Sequence, residues 1–329
     1  AAQKAIAHVA TGVVPYAIDV TPPIRAKLAE HYGPRDVGRA IGNYLTIVAG
    51  KSPKPLYASP DEFGDLVEDE FQVVWRTTHA DRGYVHKHPL MKPTLEGYQF
   101  PDPNRPGRFD DVAKSLGKRN DVFVLGVAGD MWERANFMRG LDELLADLLL
   151  HPKFAHDLLE RICQYNLQTL EAICRFLVDG LFISDDYGLQ RSLMMSPKHW
   201  REFVKPRLAA LIAAAHRHGL PTCLHSCGCI REIIPDLIEI GLKVLHPIQP
   251  EAMDVWELKR EFGRDLCFFG GIGTQRLLRN ATPQQVKDEV QRAKDVLGKD
   301  GGYILAPGIT IQADCPIENV VALIEAAKS

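Results

Sequence analysis

No stretch of the 329-residue sequence approaches the roughly 18 uninterrupted apolar residues that a membrane span requires. The opening Ala1-Ala2-Gln3-Lys4 lacks the apolar run of a signal peptide. No membrane partner is expected, and the expected location is cytoplasmic. Basic charge is not in excess either: Lys and Arg number 39 against 42 Asp and Glu, a formal charge of −3. With no basic cluster to follow a phosphate backbone, nucleic acid is not an expected partner. The seven cysteines are odd in number and all lie beyond residue 160, which suits a reducing compartment rather than a disulfide framework. Gly-x-Ser-x-Gly is missing, as is a dinucleotide fingerprint after the early strands, which argues against a serine hydrolase or a dinucleotide dehydrogenase. No internal repeat is visible.

What is present is the composition of an ordinary globular protein, 46% hydrophobic and 25% charged, at a length that α/β barrels reach as one unit. From residue 120 onward short β-branched or apolar runs alternate with longer segments of helical period, the pattern of parallel strands joined by crossover helices. Strands are predicted at Val122–Val127, Leu181–Asp185, Thr222–His225, Val244–His246, Cys267–Gly270 and Tyr303–Ala306. Helices are predicted at His151–Phe176, Pro197–His218, Arg231–Ile240, Asp254–Phe262, Pro283–Leu297 and Pro316–Ala327. Ser196-Pro197, Thr282-Pro283 and Cys315-Pro316 each place Pro at a helix start, where its missing N–H costs nothing. The first 115 residues are less regular. Helices at Pro22–Glu30 and Arg35–Leu45 and a hairpin of Phe71–Thr77 with Gly83–Pro89 around His79-Ala-Asp-Arg82 read as an elaboration capping the barrel. Asp65, Glu68, Asp69 and Glu70 read as a solvated face.

In a barrel, residues that follow the strands line the C-terminal mouth, where such enzymes place their chemistry. His225-x-Cys227 is the most informative segment, because positions i and i+2 at a strand end share a face and aim an imidazole and a thiolate at one point. Cys315, in the connection after Tyr303–Ala306, can reach the same mouth. His, Cys and Cys together would hold zinc with one position open. The competing reading is a hydrogen-bonded core histidine and buried apolar cysteines. Cys229 is a weaker candidate, while Cys163, Cys174, Cys223 and Cys267 read as packing. Asp185 and Asp186 cannot both be buried unpaired. At least one is expected to face the mouth, for substrate binding or proton handling, with capping of the loop before Ser196 as the alternative. Gly270, Gly271 and Gly273 read as close backbone approach to a bulky ligand or cofactor.

His225-Ser-Cys-Gly228, Ile233-Ile-Pro-Asp-Leu-Ile238, Pro247-Ile-Gln-Pro250, Gly270-Gly-Ile-Gly-Thr-Gln275, Gly302-Tyr-Ile-Leu-Ala-Pro307 and Glu318-Asn319 together resemble the uroporphyrinogen decarboxylase superfamily. Phe63-Gly-Asp65 and Asp69-Glu-Phe71 are similar to its methyltransferase-like members. The resemblance implies a single distorted (β/α)8 TIM-type barrel over residues 1–329, with 1–115 capping a main barrel at 116–329. The decarboxylase branch carries Trp-x-Met-Arg-Gln-Ala-Gly-Arg near its N-terminus. Here only Arg35-Asp-Val-Gly-Arg39 echoes it. The corrinoid-dependent methyltransferase branch is marked by His-x-Cys and a distal Cys as zinc ligands, matched by His225, Cys227 and Cys315. The resemblance therefore implies a zinc-dependent methyltransferase. It would move a methyl group between a corrinoid (cobalamin) carried by a partner protein and a zinc-activated thiol or an O- or N-methyl substrate. The direction of transfer and homodimerisation are left open. Asp186, Tyr187 and Gln275 are expected to touch substrate, and His246 to orient a zinc ligand. The alternatives are a metal-free uroporphyrinogen-type decarboxylase and a tetrapyrrole-binding protein.

Overall fold

The computed structural model describes residues 1–329 apart from 11, 34–36, 53, 55, 56, 80, 81 and 117–120. The start of the helix expected at Arg35–Leu45, the head of the Arg35–Arg39 echo and the centre of the His79–Arg82 turn lie outside the described residues. In chain order the strands are β1 (Leu45–Val48), β2 (Leu66–Glu68), β3 (Val74–Arg76), β4 (Tyr84–Lys87), β5 (Phe123–Gly129), β6 (Gly180–Ser184), β7 (Thr222–His225), β8 (Val244–Ile248), β9 (Cys267–Ile272) and β10 (Tyr303–Pro307).

β1 and β5 to β10 form one parallel sheet in the order β1-β5-β6-β7-β8-β9-β10. The extended segment 15–20 spans the gap between its first and last strands. Ala17 donates its N–H to the Leu305 carbonyl at 3.0 Å, Leu305 donates to Pro15 at 2.9 Å, and Tyr44 donates to Tyr16 at 3.0 Å. This segment occupies the eighth position of the (β/α)8 barrel with isolated bridges in place of a full strand. Alternation sorts the side chains. Leu45, Phe123, Leu125, Phe182, Cys223, Val244, Cys267, Phe269 and Ile304 fill the interior. Val124, Leu181, Leu224, Leu245, Phe268 and Leu305 pack outward under the helices. Each such side chain, fully buried, contributes about 1.5–3 kcal/mol of transfer free energy. Ala2 and Ala5 of the first helix join the interior cluster, and Gly302 N–H bonds the Ala5 carbonyl, so this helix plugs the end opposite the mouth.

The six predicted strands are all present. β1 is an addition, and the helix predicted through Leu45 ends at Ile41. Helices Trp132–Arg139 and Leu141–Leu150 were not anticipated. The predicted Pro197–His218 helix opens into one wide π-type turn at Trp200–Val204. Pro206 supplies the reason, since it cannot donate to the carbonyl of Glu202 and its ring would crowd it. Thr282 and Gln285 form a reciprocal capping box ahead of Pro283–Val296. Pro316, by contrast, is the cap residue rather than the first helical one.

Before the barrel, β2, β3 and β4 form an antiparallel sheet. The hairpin appears as expected, with β2 as a third strand. The acidic run is only half solvated. Asp65 and Glu68 are exposed, but Asp69 and Glu70 are not. Asp69 accepts from the N–H groups of Phe71 and Val73, from Trp75 Nε1 at 2.9 Å and from Arg134 at 3.0 Å. Glu70 accepts from Arg108 and from the Tyr165 hydroxyl. Two carboxylates that could not be buried alone thus tie this sheet and the turn beside it to Arg134 and Tyr165 of the barrel helices.

Candidate metal centre at the barrel mouth

His225 ends β7, and register places it beside Ser184 of β6 and His246 of β8. Its Nε2 lies 3.4 Å from Cys227 Sγ and 3.4 Å from Asp186 Oδ1. The ligand atoms of Asp186, His225 and Cys227 all lie within 4.8 Å of one another, the one such group of three among the described residues. All three are half-buried.

Backbone contacts bring the two loops together. Cys227 N–H donates to Asp186 Oδ1 at 2.7 Å, and Tyr187 N–H to Ser226 Oγ at 2.9 Å. Gly188 and Gly228 meet back to back. A Cβ on Gly228, whose φ is +83°, would lie 2.5 Å from the Gly188 carbonyl carbon, so only glycine permits this approach. Burial opposes charge on His225, but its bonds to Asp186 and Cys227 outweigh that and push its pKa up to about 10. Burial likewise opposes ionisation of Asp186, yet the His225 partner and the Cys227 N–H hold its carboxyl below the usual range. Behind this group His225 Nδ1 and His246 Nδ1 are 2.9 Å apart. Burial and the neighbouring His225 charge hold His246 well below the usual histidine range. A neutral His246 with its proton on Nε2 accepts from His225 Nδ1–H, which leaves His225 Nε2 for the mouth. Phe182 and Phe269 pack around the pair.

Not all expected residues converge. Cys315 is buried in the apolar core, and Arg279 and Asp314 are the charged groups that act on it. Burial pushes its thiol up. Its segment is pinned where Ile311 bridges Val20 and exchanges hydrogen bonds with Asp19 and Thr21. Asp186 stands in the group where Cys315 was expected. Tyr187 is fully buried, edge-on to Trp200, with its hydroxyl donated to Asp185 at 2.7 Å, so it does not reach the mouth. Asp185 is fully buried and accepts the N–H groups of Met131, Trp132 and Glu133. It caps helix Trp132–Arg139 rather than the loop before Ser196. Gln275 bonds Gln190 at the rim, and its N–H donates to Glu251. Gly270, Gly271 and Gly273 are closely packed by the protein itself. A Cβ on each would lie 2.8 Å from Ile248 N, Tyr303 Oη and Glu251 Oε1 respectively, so protein fills those spaces.

Sequence reasoning passed over Glu133 and Arg82. Glu133 lies in the first helical turn after β5, where the strand-end rule would have found it. Its carboxylate is 3.4 Å from Arg82 Nη1 of the capping hairpin. Burial, Asp186 and Asp130 push its pKa up to about 7 against the pull of Arg82.

Comparison with known proteins gives a consistent picture. A family model described as uroporphyrinogen decarboxylase (URO-D) matches residues 75–329. The chain is 30% identical over 134 residues to a methylcobamide:CoM methyltransferase, MtaA, of Methanosarcina barkeri, covering 40% of this chain and 37% of that protein. It is 23% identical over 194 residues to a methylated-thiol–coenzyme M methyltransferase of Methanosarcina mazei, covering 59% and 50%. A uroporphyrinogen decarboxylase of Psychromonas ingrahamii is 22% identical over 222 residues, covering 63% and 59%. The matches thus span between about a third and three fifths of these relatives. A solved methyltransferase structure from Methanosarcina mazei superposes with a TM-score of 0.74 at 19% identity, covering 99% of this chain and 96% of that one, which shows a shared fold.

Proposed function

For a chain that belongs to the uroporphyrinogen decarboxylase family of enzymes, we propose zinc-dependent methyl transfer between a corrinoid and a thiol, with the corrinoid carried by a partner protein. The observation that carries the proposal is the convergence of Asp186, His225 and Cys227 at the strand ends. One imidazole, one thiol and one carboxylate are donors zinc accepts, and three protein ligands are the number typical of catalytic zinc sites. The names of two relatives, methyltransferases acting with methylcobamide or coenzyme M, support the same reading.

In this proposal Asp186, His225 and Cys227 hold the metal, and His246 fixes the His225 ring by accepting from Nδ1. Bound zinc supplies Lewis acidity that lowers the pKa of a thiol at neutral pH. Phe182 and Phe269 exclude water from the inner side of the histidine pair. Gln275 and Gln190 stand at the rim, where polar groups can meet a small substrate. The test is purified protein loaded with zinc, offered methylcobalamin and a panel of thiols. Loss of the cobalt–methyl absorption together with thioether formation, abolished by metal removal, is expected. Inactivity on every thiol, or turnover of uroporphyrinogen by metal-stripped protein, contradicts it.

A further inference from the structure

Four successive backbone N–H groups fix the loop that carries Cys227, and each has a different acceptor. Ser226 donates to the His246 carbonyl at 2.7 Å, Cys227 to Asp186 Oδ1 at 2.7 Å, Gly228 to Gln249 Oε1 at 3.2 Å and Cys229 to the Leu189 carbonyl at 2.7 Å. Two of these acceptors are side chains, and their chemistry differs. Asp186 Oδ1 is also the oxygen 3.4 Å from His225 Nε2, so it would be shared between a metal and the Cys227 N–H. Gln249 offers a neutral amide that is no member of the group of three donors. Its bond to the loop therefore does not depend on a cation.

Gln249 is itself firmly placed. It follows β8, only about 4% of it is exposed, and its carbonyl accepts the N–H groups of Ala252 and Met253 at 3.0 Å each. Its stem passes Gly308 in the loop after β10, where a Cβ would lie 3.4 Å from Gln249 Cγ, and its amide reaches Gly228 in the loop after β7. The bond to Gly228 is buried, so loss of the acceptor would leave that N–H unpaired or force the turn to move. Gly228 also divides two cysteines of different fate. Cys227 Sγ lies 3.4 Å from His225 Nε2, whereas Cys229 packs against the apolar core.

We propose that Gln249 is the positioning residue that fixes the Cys227–Gly228 turn, so that Cys227 rather than Cys229 presents its sulfur beside His225 and Asp186. The proposal rests on the zinc reading of that group. Gln249 acts on metal affinity through Cys227, by holding the sulfur in place before the metal arrives.

The test compares Gln249→Met, which keeps the length of the stem and loses the acceptor, with Gln249→Glu, which keeps an oxygen at the same reach. Zinc affinity is measured by competition with a calibrated chelator. Cobalt(II) loaded in place of zinc reports on the sulfur through its thiolate-to-cobalt charge-transfer band. Gln249→Met is expected to bind zinc about 10- to 100-fold more weakly than wild type and to lose most of the band. Gln249→Glu should retain both. A role in packing alone gives the reverse order, because methionine fills the space while a carboxylate is poorly suited to a buried one. That order, or a Gln249→Glu protein no better than Gln249→Met, overturns the role of Gln249 and leaves the zinc reading standing. Thermal melting of the metal-free variants checks the fold, and Gln249→Asn, whose amide stops one carbon short of Gly228, replaces Gln249→Met should that variant unfold. A wild type that binds neither zinc nor cobalt overturns the zinc reading, and this inference with it.

Discussion

The Nδ1 atoms of His225 and His246 lie 2.9 Å apart on neighbouring barrel strands. Only one of two facing nitrogens can carry the proton between them, so the pair fixes both tautomers and turns His225 Nε2 toward Asp186 and Cys227. The prediction is that His246→Ala keeps the fold but weakens zinc binding about 10- to 100-fold. Competition with a calibrated chelator measures it, and an unchanged affinity contradicts the arrangement.

Asp185 acts on the fold. Its two oxygens accept three backbone N–H groups and the Tyr187 hydroxyl. An amide in its place must turn an NH2 toward one pair of those donors. Asp185→Asn is expected to cost about 2–4 kcal/mol in urea unfolding, with Tyr187→Phe costing less because it removes a single partner. A change under about 0.5 kcal/mol for Asp185→Asn counts against the capping role.

Acid and base should act oppositely on two carboxylates. Glu133 has its pKa raised to about 7 in the fold against about 4.3 when unfolded. The folded state therefore binds the extra proton, and this contribution is full below about pH 4.3 and lost as pH rises through 7. It amounts to at most about 4 kcal/mol, and Glu133→Gln should flatten the slope between those limits. Asp236 has the opposite sign. Its bonds to Arg201 and Lys205 hold its pKa below the usual range, so its contribution is present above about pH 3.9 and fades on acidification. Denaturant melts of the metal-free protein across pH, with each variant, separate the two.

Much of the barrel was legible because its strands are short, nearly apolar runs separated by helices with recognisable starts. β1 was not, because Leu45–Val48 buries only its two end residues and follows a helical segment closely. The segment 15–20 does alternate, with Tyr16, Ile18 and Val20 buried, but it is short, opens on a proline and pairs through isolated bridges rather than as a full strand. At the site, His225 and Cys227 were legible because two residues on one strand end share a face. The third donor depends on which of several loops reaches inward. Asp186 is brought in by a backbone N–H from Cys227 and by the Gly188–Gly228 contact, neither of which has a sequence signature. Tyr187 was misplaced for a related reason: it sits at a strand end, but the buried carboxylate of Asp185, two residues earlier, takes its hydroxyl. The glycines of β9 looked like a ligand cradle because tight packing between strands demands the same residue.

The central claim is that Asp186, His225 and Cys227 hold one zinc, and metal content measured by mass spectrometry tests it most directly. Wild type and Cys315→Ser are expected to carry close to one zinc per chain after dialysis, and Cys227→Ser and Asp186→Ala well under half. Retention of full metal by Cys227→Ser, or its loss from Cys315→Ser with Asp186→Ala still loaded, would contradict the assignment.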